Sequence, residues 1–91
     1  MPYVNAEQRI ECLTHGLPQL IEMLKKATKD GKENNGIVVY AIYKMMQAIY
    51  GKGRFEVKSN ALKVLSSAEL EYYRRIIGPY EDEKIKVNGD V

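Results

Sequence analysis

Residues 72–84, YYRRIIGPYEDEK, bring three tyrosines, two arginines and three consecutive acids into thirteen positions. A guanidinium holds a carboxylate or a phosphate through paired N–H donors, and tyrosine rings stack on a base or ribose. Two uses of the stretch therefore compete. Arg75 stands i+4 and Arg74 i+3 from Glu71, spacings that allow helical ion pairs. Glu81, Asp82 and Glu83 offer further carboxylates, so the first expectation is structural salt bridges, above all to those acids. The second is a ligand pocket, in which Arg74 and Arg75 hold a nucleotide-like phosphate. Its rings would come from Tyr72, Tyr73, Tyr80 and, on another helix, Tyr43. Adjacent helical positions point about 100° apart, so just one of the two arginines shares the face of Tyr72.

Other chemistries find fewer of the residues they need. Cys12 and His15 are the single cysteine and the single histidine, spaced i, i+3, with no third group near in sequence to orient the pair. A structural zinc site takes about four such ligands, and no metal-ligating or catalytic set is expected. A metal-dependent nucleotide pyrophosphohydrolase needs acids paired on inward helical faces. Glu7 and Glu11 have that spacing, but Glu69 and Glu71 do not, and the consecutive acids 81–83 splay. GKGR at 51–54 lacks the serine or threonine and the preceding strand of a P-loop. Lys52, Arg54, Lys58 and Lys63 beside Phe55 would make a basic edge, but a net charge of +2 disfavours nucleic acid as a partner. No cofactor is expected.

The elements that position these residues read as helices. NAEQRIECL follows an Asn5 cap with Glu7 in its first turn. Gly16 and Pro18 break the chain, and Leu17, Leu20, Ile21, Leu24 and Ala27 then form one apolar stripe, with lysines and Gly31 at its end. After the GKENNG turn, residues 37–50 are apolar almost all round and stop at Gly51. Such a helix belongs at the centre of a core or in a subunit interface. GKGRFEVK reads as a loop, and Ser59 or Asn60 as the cap of ALKVLSSAELEYYRRII. Gly78 is expected in the left-handed C′ position, with Pro79 opening a new helix whose first turns hold the acids and Asn88-Gly89 ending it. The expected fold is all-α, a single domain over 1–91: a small bundle of four to five short helices around the apolar central helix.

A chain of 91 residues builds only a modest core, which favours an oligomer. Residues 25–63 hold nine bases against three acids, a basic middle suited to an anion or to a second copy's acidic ends. One cysteine makes no disulfide within the chain and points to a reducing compartment. MPYVNAEQRIE has neither the basic nor the apolar region of a signal peptide, and the fourteen residues 37–50 are too few to cross a bilayer. A cytoplasmic protein away from membranes is expected.

The C-terminal third also resembles a family of small uncharacterised prokaryotic and phage proteins. The resemblance is carried by Tyr73, Arg74, Arg75, Pro79, Tyr80, Glu81, Asp82, Lys84, Ile85, Asn88, Gly89, Asp90 and Val91, a YRR-x3-PYED-x-KI-x2-NGDV run. It covers about the last twenty residues well and the rest loosely, apart from the opening Met-Pro-Tyr. It implies a compact helical fold and a bacterial or phage origin, and no activity. The combined expectation is a non-enzymatic binding protein that self-associates through 37–50. The alternatives are a phage accessory protein that sequesters a nucleotide-like anion, and the hydrolase.

Overall fold

The structure, a computed structural model, describes residues 4–89. They form five α-helices and one π-helical turn, with no strand among the described residues. The helices are α1 (Ala6–Thr14), α2 (Leu17–Ala27), α3 (Gly36–Tyr50), α4 (Phe55–Tyr72) and α5 (Gly78–Asn88), and the π turn spans Tyr73–Ile77. The all-α expectation holds. No helix is long and apolar enough to cross a membrane among the described residues. The ends of the resemblance, Met-Pro-Tyr and Asp90-Val91, lie outside the described residues.

The chain divides into two units, Met1–Ile49 and Tyr50–Val91. In the first, α1 begins with a full capping box. Asn5 Oδ1 accepts from the Gln8 N–H at 2.8 Å, and Gln8 Oε1 accepts from the Asn5 N–H at 2.9 Å. Gly16, at φ 102°, turns the chain into α2, where Pro18 occupies the first turn. α1 and α2 pack on one another.

α2 ends at Ala27, earlier than its lysines and Gly31 suggested, because Thr28 organises the turn. Its hydroxyl donates to the Leu24 carbonyl at 2.7 Å and accepts from the Gly31 N–H at 3.0 Å. Its carbonyl receives the Lys32 and Glu33 N–H groups at 2.9 and 3.0 Å. Thr28 is buried, while Lys29, Asp30 and Gly31 run left-handed around it. Left-handed backbone disfavours ordinary side chains, so these bonds must hold Lys29 and Asp30 there. Neither α1 nor α2 runs alongside α3, the most apolar helix of the unit.

The second unit departs most from the sequence reading. α4 starts at Phe55 with Arg54 as its cap residue, so neither Ser59 nor Asn60 caps it and GKGRFEVK is not all loop. Phe55 and Val57 are helical rather than extended. Gly78 has φ −56° and ψ −53°, an ordinary right-handed helical conformation, and not the left-handed C′ cap. The helix therefore runs without a break from Phe55 to Asn88, about 50 Å at 1.5 Å per residue, where two shorter helices were expected. Pro79 is accommodated because the preceding turn widens: Gly78 N–H reaches back five residues to the Tyr73 carbonyl. A Cβ at Gly78 would stand 3.3 Å from that oxygen, which makes glycine the fitting residue there.

Candidate functional site

The sequence-defined site residues divide between the units. Tyr72, Tyr73, Arg74, Arg75 and Tyr80 lie on or beside the π turn, and Tyr43 lies on α3. Arg74 Nη2 donates to Glu71 Oε1 at 2.5 Å and Arg75 Nε donates to the same oxygen at 2.6 Å. Both spacings read from the sequence are realised at once. The two guanidiniums are more than half exposed, and the shared carboxylate sits half-buried between them. Exposed pairs of this kind contribute little to stability, about 0–1 kcal/mol.

The acids at 81–83 were expected to gain from a helix N-terminus. No N-terminus exists there, since the helix passes through, and the dipole account of the triplet does not hold. Glu81 instead accepts a hydrogen bond from the Tyr73 hydroxyl at 2.7 Å. In an uninterrupted α-helix, residues eight apart point about 80° from each other. The extra residue in the π turn makes Tyr73 and Glu81 stand as residues seven apart do, about 20° from alignment. The local backbone anomaly thus creates this contact.

The hydrogen bond to Glu81 raises the Tyr73 phenol above its ordinary value of 10.0, and the charges of Glu81 and Asp82 add to the effect. A raised folded value means that the bond's contribution is present at neutral pH. It is lost as pH climbs through the Tyr73 titration. Tyr73 should titrate above the ordinary tyrosine range by NMR, and Glu81→Gln should bring it back down. Identical Tyr73 titrations in the two proteins would remove the bond. Alongside, Lys84 Nζ lies 5.6 Å from the centre of the Tyr80 ring, a cation–π contact.

A groove of about 540 Å³ in the first unit was not read from the sequence. Glu11, Cys12, His15, Leu17, Leu20 and Met45 line it, at the corner where Gly16 joins α1 to α2. The signal was the Gly16-Leu17-Pro18 corner, which in the sequence reads only as a break in the chain. Cys12 and His15 both face this space, but no group of three His, Cys, Asp or Glu side chains could hold a metal ion among the described residues. The carboxylate cluster that a metal-dependent hydrolase requires is therefore not assembled among them.

Burial is the feature that sets the molecule apart. Among the described residues no apolar side chain is buried. α3 exposes Val39 at 66%, Tyr40 at 59%, Tyr43 at 57% and Ile49 at 62%. Its Lys44 and Gln47, one turn apart, bond to each other at 2.9 Å.

These features define a small all-α protein in which, among the described residues, no apolar side chain is fully buried. The chain belongs to the family described as a domain of unknown function (DUF6899), whose model matches residues 1–91. No curated protein and no solved structure matches it.

Proposed function

We propose that this protein is a non-enzymatic interaction module that works as a homo-oligomer, with the exposed face of α3 as its principal contact. The observation that carries the reading is burial: among the described residues no apolar side chain is buried, and α3 exposes Val39, Tyr40, Tyr43 and Ile49. A second copy supplies about 800 Å² per partner at a standard interface and more at an obligate one. α3 is the natural place for it, being apolar on nearly every side and meeting α1 and α2 only across the groove that Met45 lines.

The prokaryotic or phage origin implied by the C-terminal motif fits such a module and forms part of this reading. The nucleotide-like anion reading is weaker, because Glu71 already engages both Arg74 and Arg75. Sedimentation equilibrium at micromolar concentration tests the proposal: a mass of twice 10.4 kDa or a higher multiple is expected. A single 10.4 kDa species would end it.

A further inference from the structure

We infer that α4 pairs antiparallel with α4 of a second copy, with Glu69 set against the second copy's Lys58. Phe55, Lys58, Leu62, Leu65, Glu69 and Tyr72 recur at alternating steps of three and four, which places them on one face of α4. That face is open: all six side chains are exposed, Phe55 at 82% and Leu62 at 67%. An isolated helix with such a seam has its apolar residues in water and two charges, of opposite sign, among them.

The order of the residues selects the direction of pairing. The midpoint of this six-residue seam falls between Lys63 and Val64. About a two-fold axis at that midpoint, residues equidistant from it oppose one another. Leu62 then meets Leu65, Lys58 meets Glu69, and Phe55 meets Tyr72, each contact being made twice. Apolar groups meet apolar groups, rings meet rings, and each charge meets its opposite. A parallel, in-register pair would set Lys58 against Lys58 and Glu69 against Glu69, which like-charge repulsion disfavours. The residues bordering the seam, Ser59, Ala61, Ser66 and Ala68, are small and let the two backbones approach closely.

The pairing rests on the self-association reading above and adds to it a second face with a defined register.

Charge reversal tests it in the full chain, by sedimentation equilibrium with helix content followed by circular dichroism. Lys58→Glu places two like-charge contacts across the pair, and so does Glu69→Lys. Each is expected to weaken association about tenfold or more, while the double variant Lys58→Glu/Glu69→Lys returns to within about threefold of the parent. Single variants that associate as the parent does would overturn the pairing, as would a double variant no better than the singles. If those changes are silent while Val39→Lys/Tyr43→Lys dissociates the protein, the α4 pairing falls and the α3 reading survives. A parent protein that is monomeric removes both.

Discussion

Val39→Lys/Tyr43→Lys is expected to abolish association through α3 and to lower the thermal stability of the protein sharply. The two positions are i, i+4 on α3 and exposed at 66% and 57% in the single chain. Within one chain, then, lysine there meets water. Its helix propensity exceeds that of valine and tyrosine, so for a monomeric protein the change would be neutral or slightly stabilising. At a subunit interface the sign reverses. Burying a side chain of this size contributes about 1.5 kcal/mol or more, and a two-fold interface counts each substitution twice. The loss is about 6 kcal/mol before any cost of burying the ammonium groups, which is about ten-thousandfold or more in the association constant. Mass and helix content measured together read the outcome. Unchanged mass and unchanged or improved melting would show that this face of α3 stays in water.

The sequence revealed the helices more fully than their ends. Apolar spacing of three and four located α2 and the later part of α4, the length and all-round apolarity of the segment ending at Gly51 located α3, and the Asn5 cap began α1 where expected, because these are local properties of the chain. Two signals misled. Gly78-Pro79 usually ends a helix, but a widened turn satisfied the constraint of the proline and let the helix continue. The widening depends on the backbone of Tyr73–Ile77, which no residue type announces. Arg54 began α4 without a side-chain cap, so the stronger capping residues Ser59 and Asn60 drew the boundary too late.

The candidate site was legible in part for the same reason. Glu71 lies within one turn of Arg74 and Arg75, and that ion-pair cluster followed from spacing alone. The Tyr73–Glu81 bond crosses the π turn, and no helical spacing rule foretells it. The groove beside Cys12 and His15 includes Met45 from α3, a residue thirty positions away from His15. Tertiary placement of that kind leaves no periodic trace.

We propose that folding of this chain is completed by a second copy. Thermal unfolding of the wild-type protein at chain concentrations a hundredfold apart tests it most directly. When unfolding and dissociation are coupled, each tenfold rise in concentration adds about 1.4 kcal/mol to the stability of a dimer. For two chains of 91 residues that corresponds to about 2–4 °C in Tm per tenfold step, and about 4–8 °C across the range. A rise of that size is the predicted result. A Tm that stays constant over the whole range would contradict the account, because the apolar faces would then be covered without a second molecule.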